Sequence, residues 1–236
     1  LFSTIQAIVR NGDEVIVFDP AYDSYEPAVT LAGGRTIHVP LAISDDGFDF
    51  SIDWQRLADA LTDRTRLVII NFPHNPTGAT VDLAFMQRVV DFCREHEMIV
   101  VHDFAYADVG FDGHQPPSIL QAEGAKECAV ELYSMTKSFS MAGWRSAFLL
   151  GNAEVVQALV KLKSYLDYGM FQPVQIAATV TINEAADYPN EIRAIYESRC
   201  DTLIDGLGRI GWDIPKPGGS MFVWAPIPQP DTEMDS

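Results

Sequence analysis

A chain of 236 residues, 47% hydrophobic and 21% charged, can hold one full domain and part of a second around a sizeable core. That balance excludes disordered, collagen-like and disulfide-scaffold classes. With 33 acidic and 16 basic residues the formal charge is −17, a surface that repels nucleic acid and anionic lipid, since both need basic groups to neutralise phosphates.

The elements follow in chain order. Leu1, Ile5, Ile8 and Val9 make a helical stripe that stops at Asn11-Gly12. Val15 to Phe18 reads as a buried strand ended by Asp19-Pro20, Tyr25 to Leu31 as a helix stopped at Gly33-Gly34, and Thr36 to Val39 as a second strand. Ser51 to Leu61 is amphipathic, Leu67 to Asn71 a strand, and Val81 to Glu97 a long helix. Met98 to His102, Ala129 to Ser134 and Ala147 to Leu150 are short β-type runs. After Gly151 the pattern turns helical: Glu154 to Tyr168, Pro173 to Ala186 and Asn190 to Leu207. A last strand is expected over Met221 to Ala225, before the Pro-rich, acidic Pro226 to Ser236. This alternation predicts an α/β fold, a mostly parallel sheet sandwiched by helices. The change near Tyr188-Pro189 divides residues 1–188, a large domain, from 189–236, a linker helix and the start of a smaller α+β domain.

No apolar run approaches the ~18 residues of a membrane span, and no basic-then-apolar leader opens the chain. Cys93, Cys128 and Cys200 are scattered, without a CxxC or a His/Cys cluster, and read as buried thiols in a reducing, cytoplasmic compartment. Because the chain opens on Leu1, it is read as a fragment or a processed form.

Some motifs do not hold up. Gly206, Gly208 and Gly211 spell GxGxxG, but a helix precedes them and Trp212-Asp213-Ile214-Pro215 cannot open one, so they read as a helix end and a turn. Ser134-Met135-Thr136-Lys137 spells SxxK, yet no lysine is followed by the Thr/Ser-Gly pair that such nucleophile sites need. His96 and His102 lack metal-ligand spacing, and no metal is expected.

One constellation remains. Asn75-Pro76-Thr77-Gly78 follows the strand ending at Asn71, Asp103 and Tyr106 follow the strand through His102, and Ser134 and Lys137 follow the run from Ala129, with Arg145 beyond them. Each polar group stands just past a strand end, where open α/β sheets place their ligands. Lys137 is the sharpest feature, a lysine between a strand and a Ser/Gly/Met loop rather than on a helix face.

At Pro20-Ala21-Tyr22, Asn75-Pro76-Thr77-Gly78, Asp103-Phe104-Ala105-Tyr106 and Ser134 to Lys137 running on to Gly143-Trp144-Arg145, the sequence resembles the fold-type I, pyridoxal-phosphate-dependent aminotransferases of class I/II. The resemblance covers nearly the whole chain and implies pyridoxal 5′-phosphate as cofactor. It implies that Lys137 forms the Schiff base and moves the proton, while Asp103 sits against the pyridine nitrogen. Asn75 and Tyr106 would bond the ring 3′-oxygen, Tyr22 would stack on the ring, and Ser134 and Arg145 would hold the phosphate. It further implies amino-acid and 2-oxo-acid substrates and a homodimer.

The family's phosphate-binding Gly/Ser/Thr loop would lie upstream of Leu1, and its carboxylate-gripping arginine downstream of Ser236. The chain alone is therefore expected not to complete a transamination. Arg193, Arg199 and Arg209 read as helix-surface charges. Asp19 to Pro27 is similar to the methionine/kynurenine type of aminotransferase. His102 to Asp108, Met141 to Arg145 and Gly219 to Ala225 are more similar to the alanine (glutamate–pyruvate) type, and alanine/glutamate exchange is favoured. A β-lyase or a methionine or aromatic aminotransferase on the same scaffold, or a non-catalytic cofactor-binding sensor domain, are the alternatives.

Overall fold

The computed structural model describes residues 1–44 and 49–226. Its strands are β1 (Glu14–Asp19), β2 (Arg35–Pro40), β3 (Ala42–Ile43), β4 (Phe50–Ser51), β5 (Thr65–Ile70), β6 (Ile99–Phe104), β7 (Ala129–Ser134) and β8 (Ala147–Gly151). Its helices are α1 (Phe2–Ile8), α2 (Tyr25–Leu31), α3 (Trp54–Asp59), α4 (Leu83–Glu95), α5 (Ala125–Cys128), α6 (Met135–Ser138), α7 (Ala153–Leu166), α8 (Gln172–Glu184) and α9 (Tyr188–Gly208).

The main sheet runs β2-β1-β5-β6-β7-β8. Every pairing in it is parallel except β7 with β8. The sequence dictates a covered sheet because its central strands are apolar on both faces. In β1, Ile16 and Phe18 feed one core, with Val68, Ile70, Val100 and the α4 stripe Met86, Val89, Val90 and Cys93. Val15 and Val17 feed the other, with Ile69, Val101, Val130, Ile5 of α1 and Val29 of α2. Successive strand residues point to opposite faces, so an unbroken apolar run requires helices on both sides.

Helix starts are set by side-chain caps. Asp82 accepts from Phe85 N at 2.8 Å to open α4, and Asp53 accepts from Gln55 N and Arg56 N at 3.1 and 3.0 Å to open α3. Asp53 explains why α3 begins later than the amphipathic run from Ser51: Ser51 itself belongs to β4, which pairs antiparallel with β3. The GxGxxG glycines fall where expected, Gly206 and Gly208 in the end of α9 and Gly211 in a turn at φ +85°. The strand expected over Met221 to Ala225 does not form. That segment is irregular and unpaired, and just before it an isolated bridge joins Gly219 to Gly110. An apolar alternating run becomes a strand only where a neighbour accepts its backbone bonds, and this one packs by side chains instead, Met221, Phe222 and Val223 lying against Tyr106, Val109 and Phe111. Among the described residues no helix is long and apolar enough to cross a membrane.

Candidate functional site

The parallel strands bring their C-terminal ends to one edge of the sheet. There Tyr22, Asn75, Asp103, Tyr106, Ser134, Lys137 and Arg145 all line one cavity of about 1060 Å³. They come from five separate segments: the turn after β1, the loop after β5, the end of β6, the β7–α6 junction, and the turn before β8.

Asp103 lines this cavity and accepts a 3.1 Å hydrogen bond from Tyr25 Oη at the start of α2. Its backbone carbonyl accepts from Asn71 Nδ2 at 2.6 Å, and Asn71 Oδ1 accepts from Asn75 N at 2.8 Å. One amide side chain therefore fixes the Asn75 loop to the strand that carries the acid. Burial pushes the Asp103 carboxyl above its ordinary value, and the charge of the Leu1 amino group and the bond from Tyr25 only partly offset that. No lysine or arginine side chain pairs with it among the described residues.

Tyr106 is buried beside Asp103, with Asn75 against its hydroxyl and Phe222 edge-on to its ring at 5.9 Å. Burial and the neighbouring carboxylate raise its hydroxyl pKa, so the phenol stays a donor at neutral pH. Lys137 Nζ is 5.8 Å from the Tyr106 ring centroid and makes no hydrogen bond or ion pair among the described residues. Its position follows from Ser134, whose Oγ accepts from Thr136 N at 3.2 Å and starts the single turn of α6, leaving Lys137 in that turn's last residues. Arg145 is exposed and left-handed at φ +54°, its Nη1 donating to Ala142 O at 3.1 Å. The half-exposed Tyr22 ring stands edge-on to Tyr25 at 5.5 Å.

Several residues that build the cavity escape a sequence reading. Asn71 and Tyr25 act on Asp103 through bonds spanning 32 and 78 positions, and Tyr133 donates to Asp108 Oδ2 at 2.7 Å. An asparagine closing an apolar strand, four residues before another asparagine, was the one local signal.

The Asn75 loop is held from behind. Gly78 is left-handed at φ +75°, and a Cβ there would meet Pro217 Cβ at 2.6 Å and Phe222 O at 3.1 Å, so the loop and the 217–222 segment close on each other only through glycine. His74 is buried with Nδ1 2.8 Å from Thr77 Oγ1, and burial pushes its imidazole down to about 4 from 6.5. The folded state thus refuses a proton that the unfolded chain accepts. The stabilisation from keeping His74 neutral is fully present above pH 6.5 and is lost as pH falls toward 4. Urea unfolding should show about 3 kcal/mol of stability disappearing across that window through this group. His74→Gln should flatten the slope, and an equally steep slope in the variant would exclude His74 as its source.

With this geometry in view, the comparisons are decisive. The family described as aminotransferase class I and II matches residues 1–235. The chain belongs to the class I and II aminotransferases. It is 39% identical over 221 residues to an LL-diaminopimelate aminotransferase of Moorella thermoacetica, covering 94% of this chain and 56% of that protein. It is also 39% identical over 230 residues to the glutamate-pyruvate aminotransferase AlaC of Escherichia coli K12, covering 98% of this chain and 55% of that protein. Among solved structures it is similar to apo-BacF of Bacillus subtilis, with a TM-score of 0.90, 34% identity, 97% of this chain and 57% of that one. The chain therefore spans little more than half the length of these relatives. Its mostly parallel, helix-flanked sheet is that of the fold-type I aminotransferases, whose family uses pyridoxal phosphate.

The donor set suits that cofactor. An unpartnered amine matches an aldehyde, a buried carboxylate without a cationic side-chain partner matches a pyridinium nitrogen, and an amide and a neutral phenol match a phenolate oxygen. The capping hydroxyl of Ser134 and the exposed guanidinium of Arg145, both lining the cavity, match a phosphate.

Proposed function

We propose that this protein, in its full-length parent, moves an amino group between an L-amino acid and a 2-oxo acid with pyridoxal 5′-phosphate, alanine and glutamate being the favoured donors. The observation that carries the reading is Lys137, an amine without a hydrogen-bonding partner among the described residues, opening into a cavity that also holds Asp103 and Tyr106. When bound, the cofactor supplies a sink for the electron pair released as a bond at the substrate Cα breaks. Lys137 Nζ would hold the cofactor aldehyde and would supply the base that moves the proton at the substrate Cα. Asp103 would hold the proton on the ring nitrogen, its acidity lowered by burial. Asn75 and Tyr106 would donate toward the ring 3′-oxygen, Tyr22 would cover a ring face, and Ser134 and Arg145 would bind the phosphate.

On this reading residues 1–188 are the cofactor-binding part, and 189–236 begin a smaller domain through α9. Two copies assemble as a homodimer in the cytoplasm. The three buried, unpaired cysteines support a reducing compartment.

The test is a set of half-reactions on the full-length, cofactor-loaded parent with alanine, glutamate, LL-diaminopimelate and methionine, followed by cofactor absorbance and oxo-acid product. Alanine or glutamate is expected to react fastest. Preference for LL-diaminopimelate, the substrate in the name of one relative, would overturn the donor assignment alone. Pyruvate plus ammonia from a cysteine conjugate would make the protein a β-lyase, and cofactor binding without any half-reaction would make it a sensor.

A further inference from the structure

His102 lies beside Asp103 in β6, yet its side chain points to the opposite face of the sheet and is fully buried. Its ring stacks on Phe104 with centroids 4.5 Å apart. Nε2 lies 3.1 Å from the Phe72 carbonyl oxygen, and Nδ1 lies 3.1 Å from Glu131 Oε2 on β7. A carbonyl can only accept, so Nε2 carries a hydrogen toward Phe72, while Nδ1 faces the Glu131 carboxyl. The same Glu131 oxygen accepts from Ser118 Oγ at 2.8 Å and Ile119 N at 3.0 Å, so the carboxyl is itself held from a third segment.

Nothing in the proposed chemistry uses this polar group in an otherwise apolar core, but its output reaches the site. Phe72 directly follows Asn71, which binds the Asp103 carbonyl and the Asn75 amide on the cavity side. The segment leading to Asn75 is therefore fastened to β6 twice, by Asn71 from one face of the sheet and by His102 from the other.

We infer that His102 is a positioning residue: braced by Glu131 and Ser118, it clamps the Phe72 carbonyl and so fixes Asn75 relative to Asp103 in the cofactor site. The inference rests on the cofactor reading above. Glutamine at 102 can still donate to the Phe72 carbonyl, whereas phenylalanine fills the space without a donor.

The experiment compares wild type, His102→Phe, His102→Gln and Glu131→Gln in the full-length protein. It reads the dissociation constant of pyridoxal phosphate, the visible absorbance band of the bound cofactor, and thermal stability. His102→Phe is expected to weaken cofactor binding about tenfold and to shift the band, while His102→Gln stays within about threefold of wild type. A His102→Phe protein that binds with wild-type affinity and spectrum, whatever its melting temperature, overturns the inference and leaves a merely structural histidine. If that variant does not fold, Glu131→Gln decides: weaker binding supports the clamp, and unchanged binding and spectrum overturn it. A wild type that takes up no cofactor on Lys137 sinks the cofactor reading itself, which is a different failure from a wild type that binds while the variants bind equally well.

Discussion

In the full-length protein, on the function proposed above, Lys137→Ala is expected to abolish borohydride-fixable attachment of pyridoxal phosphate and to lower transamination by about 10⁴-fold or more while leaving the fold intact. The expectation of a silent fold comes from the surroundings. Lys137 is half-buried in a one-turn helix, has no hydrogen-bond or ion-pair partner among the described residues, and its 5.8 Å approach to the Tyr106 ring is a weak attraction. Truncation should therefore move stability by less than about 1 kcal/mol. Chemistry is where the loss falls, because one amine provides both the covalent attachment and the proton carrier, and a positioned proton carrier alone is worth about 10²–10⁴-fold. Peptide mapping after borohydride reduction identifies the labelled residue. A reduced adduct that persists in the variant, on any other lysine, would remove Lys137 from the centre of the site.

Much of this was legible in the sequence, for a reason that can be named. In β1, β5 and β6 the stretches Val15 to Phe18, Leu67 to Ile70 and Ile99 to Val101 feed one core or the other, so each strand carries a short apolar run, and the polar residues that follow it stand out by contrast. Asp103 and Ser134 are visible because they stand at strand ends, and Lys137 because it follows a strand end rather than lying on an amphipathic stripe, although the structure puts it in the single turn α6 and not in a loop. What escaped is what local pattern does not encode. The two-residue strands β3 and β4 are too short to have a period. The antiparallel direction of β8 leaves no trace in hydrophobicity, since a strand's two directions have the same alternation. Met221 to Ala225 has a strand's composition without a strand's partner. Tyr25 and Asn71 acquire their roles only through Asp103, far along the chain, and His102 looks like any apolar-run residue until Glu131 is seen beside it in register on β7.

Asp103→Asn is expected to have opposite effects on activity and on the unloaded protein's stability. The amide preserves shape and can still accept from Tyr25 Oη, so the cavity should keep its form. Without the cofactor, the carboxylate costs stability: burial raises its pKa, the folded state therefore binds its proton more tightly than the unfolded chain, and stability falls as pH rises above the ordinary value of 3.8. Removing the charge relieves that cost, so the unloaded variant should melt higher than wild type at pH 7 and about equally at pH 4. With the cofactor the balance reverses. A carboxylate against a ring-nitrogen cation at ~3 Å, at an effective dielectric of ~20, is worth roughly 5 kcal/mol before desolvation. If half survives desolvation, the ring pKa falls by about two units in the variant and turnover by about 10²-fold. Activity, cofactor absorbance against pH and melting of the unloaded protein at both pH values check the pair of effects. A variant that loses activity and stability together would mean that Asp103 supports the fold and not the ring nitrogen. A variant that melts higher while turnover collapses would identify the cofactor as the missing cation for which this buried acid is kept.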